Sequence, residues 1–271
     1  IKSLKDMDFN GKIVSIDTDE LSVGFSMSDK YYVVPNIKDN DYIPILLKIV
    51  HKEKIDLILP TGPDIEPISK NANLFKDKLF MSDYESIMDC TDKWRFYNKC
   101  KDKFPLPKTY KGHKLFKKPI IGSGSRGCEL IEFDSDEIIC EYLSGQEYTI
   151  DVLCDMKSNP LVVIPRKRLQ TKAGISSKGE IIKNKYIEKA CFDICKFLKL
   201  KGPVCLQMKD DDEGNPKFIE VNPRFGGGTY FTTLAGVNFM KIIFDVLENK
   251  EILINEPKLI KVLRYYKEVI I

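Results

Sequence analysis

Residues 218–228 read FIEVNPRFGGG. A carboxylate (Glu220), a carboxamide (Asn222) and a guanidinium (Arg224) recur there at every second position, and three glycines follow. Side chains two apart on a strand share a face, so Glu220 and Asn222 point together. Upstream, PVCLQM and KFIEV are separated by KDDDEGNP, a turn-rich connection that predicts a hairpin. Pairing across it brings Gln207 to the same face. Two amide oxygens and a carboxylate, with no sulfur or imidazole, form a hard-cation set suited to Mg²⁺ that keeps waters and takes phosphate oxygens. The same spacing also fits a solvated strand whose Asn222-Pro223 step starts a turn.

Two further stretches carry possible chemistry. In KPIIGSGSRG, Lys118 precedes a glycine-serine loop, Ser123–Gly127, whose backbone N–H groups and hydroxyls suit phosphate oxygens; an ordinary turn reads the same way. The stretch lacks GK[ST]. In EYLSGQEYTID, Glu141 and Glu147 flank a Ser-Gly turn. Such carboxylates can act as acid and base, bind sugar hydroxyls, or merely solvate a turn.

The elements that must position these residues form an α/β pattern. KIVSID (12–17), YYVVP (31–35), DLILP (56–60) and KLFMS (78–82) read as strands alternating with helices over 41–53 and 64–75. That order predicts parallel βαβ units in a small doubly wound sheet, expected to lack its opening strand because the chain starts at Ile1. A helix from about Asp92, capped by Thr91 or Asp92, runs to the linker FPLPKTY. Strands follow at KLFKK, EIICEYL, EYTIDVLCD and LVVIPRKR. Ile187, Ala190, Cys191, Ile194 and Leu198 line one face of a helix over 186–198 that Gly202-Pro203 should stop. A helix over 239–248 and a strand near 260–271 close the chain.

Net charge is +3 with both signs interspersed, which argues against nucleic-acid partners. No apolar run reaches the ~20 residues of a membrane span. The eight cysteines include no CxxC, and the two histidines (51 and 113) lie far from Cys191 and Cys195, so reduced core cysteines and a cytoplasmic location are expected over a zinc site.

Taken together, these motifs resemble the ATP-grasp superfamily, in the group close to the large chain of carbamoyl phosphate synthase; CLQMKDDDEGNPKFIEVNPRFGGG is the most specific stretch. The resemblance implies a Rossmann-like pre-ATP-grasp domain over 1–90 and a two-subdomain ATP-grasp domain over 91–271, with a lid at about 108–145. Gln207, Glu220 and Asn222 would then hold Mg²⁺ (or Mn²⁺) against ATP, with Asn222 and Arg224 at the transferring phosphoryl group. Lys93 and Lys118 match bases on the ATP phosphates, and Ser123, Gly124, Ser125, Arg126 and Gly127 match the glycine-rich lid loop. Glu141, Tyr142 and Leu143 match the adenine hinge, Glu147 the ribose acid, and Arg166 and Arg168 bases that bind phosphate or substrate. The interval from Gly127 to Glu141 is short and lacks the helix usual there.

The activity implied is a carboxylate–amine (or carboxylate–thiol) ligase working through an acyl phosphate. Its partners would be small carboxylates and amines, and a homodimer is compatible with it. A single grasp unit without a glutaminase segment argues against the complete carbamoyl phosphate synthase reaction. A non-catalytic nucleotide-binding sensor or accessory subunit is the alternative, against which Arg224 beside a full metal set argues. The small α/β domain alone suggests a dinucleotide-dependent oxidoreductase, and the lack of GxGxxG within residues 1–90 opposes it.

Overall fold

A computed structural model describes every residue except His113, Gly122, Ser123, Ser135 and Ile271. The N-terminal part holds α1 (Lys2–Lys5), β1 (Val14–Asp17), β2 (Lys30–Val33), α2 (Tyr42–Glu53), α3 (Ile65–Lys70), α4 (Ala72–Phe75), α5 (Tyr84–Thr91) and α6 (Lys93–Cys100). β1 and β2 pair in parallel. The DLILP and KLFMS runs do not become full strands: one parallel bridge, Ile58 to Leu79, joins them. A cavity of about 930 Å³ lies between Val14–Ile16 and Leu57–Leu59, so no ladder links the two halves. The helix expected over 64–75 breaks at Asn71 into α3 and α4, with the Asn71 amide donating to the Pro67 carbonyl at 2.9 Å. α5 had no sequence signal strong enough to separate it from the strand before it. Asp92, not Thr91, caps α6 by accepting from the Trp94 and Arg95 N–H groups at 2.9 Å each.

Two small antiparallel pairs follow: β3 (Thr109–Lys111) with β6 (Ile138–Cys140), and between them β4 (Leu115–Lys117) with β5 (Glu129–Ile131). The large sheet comprises β7 (Glu147–Cys154), β8 (Pro160–Lys172), β9 (Ile175–Ile181), β10 (Gly202–Asp210), β11 (Pro216–Asn222) and β12 (Lys261–Leu263), in the order β11-β10-β7-β8-β9-β12. Every pairing in it is antiparallel. The terminal strand is three residues long, where a run near 260–271 was expected.

Period-two alternation explains how this sheet serves two faces. Ile150, Val152 and Cys154 on β7 and Val204, Leu206 and Met208 on β10 form one core with Ile187, Cys191, Ile194 and Leu198 of α7 (Lys185–Phe197). Fully burying an aliphatic side chain of this size contributes about 1.5–3 kcal/mol. Asn184 caps α7 by accepting from Tyr186 and Ile187, and Glu188 accepts from the Asn184 N–H at 2.9 Å. The helix ends at Leu198 and Lys199, the latter left-handed at φ 53°, before Gly202-Pro203 is reached. Gly202 instead opens β10 at φ 71°, where a Cβ would lie 2.6 Å from the Phe80 carbonyl oxygen.

On the sheet's other face, Leu153, Val162 and Ile164 pack against α8 (Tyr230–Leu234) and α9 (Phe239–Leu247). The same cluster takes in Phe80, Leu4 and Met7 and so ties the N-terminal part to the sheet. Lys201 reinforces this junction: its N–H donates to Ser82 Oγ at 2.9 Å and its ammonium pairs with Asp83 at 2.7 Å.

Candidate active site

The residues on the second face of β7, β10 and β11 converge. β10 and β11 form the expected hairpin, with Gln207 directly opposite Glu220 and Cys205 opposite Asn222. A bulge interrupts the register between Gln207 and Met208, where Phe218 is Met208's partner and Ile219 is skipped. Phe218 therefore enters the α7 core while Glu220, two residues on, faces the cleft.

A chain of polar contacts runs along that face. Arg168 donates to Glu147 Oε1 at 2.6 Å and to Gln207 Oε1 at 3.0 Å. Asn222 Nδ2 donates to Glu220 Oε1 at 2.5 Å, and Arg224 donates to Asn222 Oδ1 at 3.2 Å and to the Phe225 carbonyl at 3.1 Å. Glu147, Arg168 and Gln207 form one contact group and Glu220, Asn222 and Arg224 another, with Gln207 and Glu220 opposite each other in the register, on the one face that alternation predicts for Gln207, Glu220 and Asn222. Gln207, Glu220 and Asn222 supply oxygen ligands and no sulfur or imidazole, a chemistry that fits Mg²⁺. Cys191 and Cys195 are both buried, and burial raises the pKa of each thiol; among the described residues no three His, Cys, Asp or Glu side chains group as metal ligands.

Arg166 is placed otherwise than the sequence suggested. It is wholly buried, donating to Asp151 Oδ2 and Ser176 Oγ at 3.2 Å each, and so cannot meet a solvent-borne phosphate where it stands. Asp151 also accepts from Thr229 Oγ1 at 2.9 Å and Thr232 Oγ1 at 2.8 Å. Thr229 Oγ1 in turn accepts the Gly226 N–H at 3.0 Å. The pair thereby holds the glycine loop that follows Arg224. Gly228 is required here, since a Cβ would sit 2.6 Å from the Arg166 terminal nitrogens. The sequence signal for Asp151 existed in hindsight: it is an acid within a strand of apolar residues.

The remaining predicted residues lie apart in this conformation. Lys93 is exposed at the start of α6, and Lys118 is exposed at the end of β4. Gly124, Ser125, Arg126 and Gly127 form an exposed turn with positive φ at 124, 125 and 127; Ser123 lies outside the described residues. The Glu141 carboxylate is engaged by Lys217 at 2.7 Å and by the Lys108 N–H, contacts that lower its pKa. Tyr142 is exposed with Lys209 over its ring, and Leu143 is buried. Asp64 is half-buried on the loop after the 56–60 segment. Burial raises its pKa, against the opposing effects of the Gly62 and Asp64 N–H groups and the nearby Arg224 charge.

Comparison with known proteins agrees with this layout. Residues 134–268 match the family "ATP-grasp in the biosynthetic pathway with Ter operon", and residues 1–78 match "PylC-like, N-terminal domain". A tyramine–L-glutamate ligase of Methanocaldococcus fervens is 27% identical over 224 residues, covering 79% of this chain and 72% of that one. Its counterpart in Methanocaldococcus jannaschii is 25% identical over 218 residues, covering 78% and 67%. Among solved structures, a biotin carboxylase–β-γ-ATP complex from Campylobacter jejuni aligns with TM-score 0.68 at 14% identity, over 95% of this chain and 70% of that one. An L-amino acid ligase from Bacillus licheniformis aligns with TM-score 0.64 at 14% identity, over 91% and 70%. Among the described residues no helix is long and apolar enough to cross a membrane. With an oxygen-ligand row on a grasp-like sheet, a preceding PylC-like domain and ligases as its relatives, the chain belongs to the ATP-grasp superfamily and is an ATP-dependent ligase.

Proposed function

We propose that this ligase joins a carboxylate of the amino-acid class to an amine, with ATP cleaved to ADP and phosphate. The observation that carries the reading is Gln207 directly opposite Glu220, with Asn222 and Arg224 continuing the same row. L-Glutamate and tyramine, named by the curated relatives, are the first substrates to test.

Gln207, Glu220 and Asn222 are the residues that would hold Mg²⁺. Bound there, the ion would neutralise the phosphate oxygens of ATP. The Gln207 oxygen accepts from Arg168 and keeps a second lone pair for a cation. Arg224, held in place by Asn222 and the Phe225 carbonyl, presents a fixed positive charge to the phosphoryl group as charge moves from ATP to the acceptor carboxylate. The acceptor becomes an acyl phosphate, whose carbonyl the amine attacks. Lys93, Lys118 and the loop through Gly127 approach the phosphates by closing from their exposed positions, and closure excludes water from the acyl phosphate. Glu147 would receive the ribose hydroxyls once Arg168 moves, and the 141–143 backbone would receive adenine.

The test is ADP release in the presence of MgATP, L-glutamate and tyramine, with the product mass recorded. ADP release that depends on both substrates, with a product heavier than glutamate by tyramine less one water, is the expected result. Release that ignores both, and ignores a wider set of amino acids and amines, contradicts the reading.

A further inference from the structure

Resting on the ligase reading, the structure assigns a further role to the N-terminal domain: we propose that Asp64 binds the ammonium of the amine substrate and takes a proton from it, freeing the nitrogen lone pair for attack. Four observations lead there. Asp64 follows the 56–60 segment at its carboxyl end, the side of parallel α/β units where ligands bind. It lines, with Thr61, a cavity that Phe225, Gly226 and Gly227, immediately after Arg224, also line. Its Oδ1 accepts the Gly62 N–H at 2.9 Å, while Oδ2 makes no hydrogen bond to another described residue, and no described lysine or arginine forms an ion pair with it. The other carboxylates on that cavity are unsuited: Glu53 is taken by Lys12 and Lys30, and Asp56 is exposed.

The chemistry requires such a group. The row ending in Arg224 is cationic where it meets the phosphoryl group and would repel an ammonium, so a carboxylate lining the adjoining cavity supplies the attraction. The nitrogen enters as R–NH₃⁺ and leaves as an amide R–NH–, losing two protons. The C–N bond forms, the acyl C–O bond to phosphate breaks, and the electron pair departs with phosphate. One proton goes to the leaving phosphate and the other to Asp64, which returns it to solvent. Burial raises the Asp64 pKa, making it a better proton acceptor than an exposed aspartate.

Asp64→Asn isolates the role, because asparagine keeps the oxygen that accepts the Gly62 N–H and so the local turn. Two reactions are compared in the wild type and the variant with MgATP and L-glutamate: trapping of the acyl phosphate by hydroxylamine, which is uncharged at neutral pH, and coupling to tyramine. Tyramine binding to the protein saturated with MgADP is measured by calorimetry in parallel, with melting curves as the folding control. The expected result is hydroxamate formation within about threefold of wild type, tyramine coupling reduced at least about a hundredfold, and tyramine affinity reduced about tenfold or more. Unchanged coupling or binding of tyramine in the variant overturns the assignment alone. An equal loss of hydroxamate and amide also overturns it, because the damage then lies in ATP chemistry. A wild-type protein that forms no hydroxamate overturns the ligase reading on glutamate and this assignment with it.

Discussion

Arg166 and Asp151 meet across β8 and β7 at 3.2 Å, and neither side chain is more than 1% exposed. Asp151 is at the same time the acceptor for Thr229 and Thr232, so a single carboxylate joins the sheet to the start of α8. Asp151→Ala leaves the Arg166 charge buried without its partner, a situation that typically costs about 3–5 kcal/mol. Equilibrium urea unfolding should show a loss of that size. A loss below about 1 kcal/mol, the scale of a surface ion pair, contradicts the placement.

Glu220→Gln should keep the fold and weaken metal-dependent nucleotide binding. Size and hydrogen-bonding reach are preserved while the only charged member of the ligand row is removed. Calorimetric titration with ATP, with and without Mg²⁺, separates the effects: the variant should lose most of the Mg²⁺-dependent gain in affinity. If MgATP binds as tightly as to wild type, Glu220 is not a ligand.

Arg224→Ala should depress the chemical step more than ATP affinity. An electrostatic donor aimed at developing charge is worth about 3–4 kcal/mol, or roughly a hundred- to thousandfold in rate. Single-turnover measurements at saturating MgATP read that step directly. A residue that only anchors ground-state ATP would raise the dissociation constant and leave the saturated rate nearly unchanged.

Glu53 makes acid stability measurable through a residue outside the metal and phosphoryl row. Hydrogen bonds from Lys12 (2.5 Å), Lys30 (2.8 Å) and Tyr32 hold its pKa down at about 2. An unfolded glutamate titrates near ~4.3, so the folded state binds fewer protons between these values. The contribution is complete above the unfolded value and is lost as pH falls through about 2. Glu53→Gln should therefore be less stable than wild type at neutral pH, and the gap should close as pH falls from about 5 towards 2. Melting curves across that range check it; a gap that stays constant with pH rules out the ionised glutamate as the cause.

Local sequence determined much of this protein. The alternation in EYTIDVLCD and PVCLQM, the acidic turn between PVCLQM and KFIEV and the one-sided apolar stripe of 186–198 each specify an element by themselves, because period and turn chemistry act within a few residues. Glu220 beside Asn222 and Arg224 was legible for the same reason. Tertiary structure decided what depends on distant partners. The bulge at Ile219 sends Phe218 to the α7 core and Glu220 to the cleft, although strict alternation would put both on one face. Arg166 and Arg168 look alike in LVVIPRKR, yet Asp151, Ser176 and Gly228 enclose the first while Glu147 and Gln207 draw the second into the site. The 56–60 and 78–82 runs have strand composition but gain only one bridge, because a backbone ladder needs neighbours on its edges and local composition cannot supply them. Asp64 reaches the neighbourhood of Arg224 only through the packing of one domain on the other, a proximity that no spacing along the chain encodes.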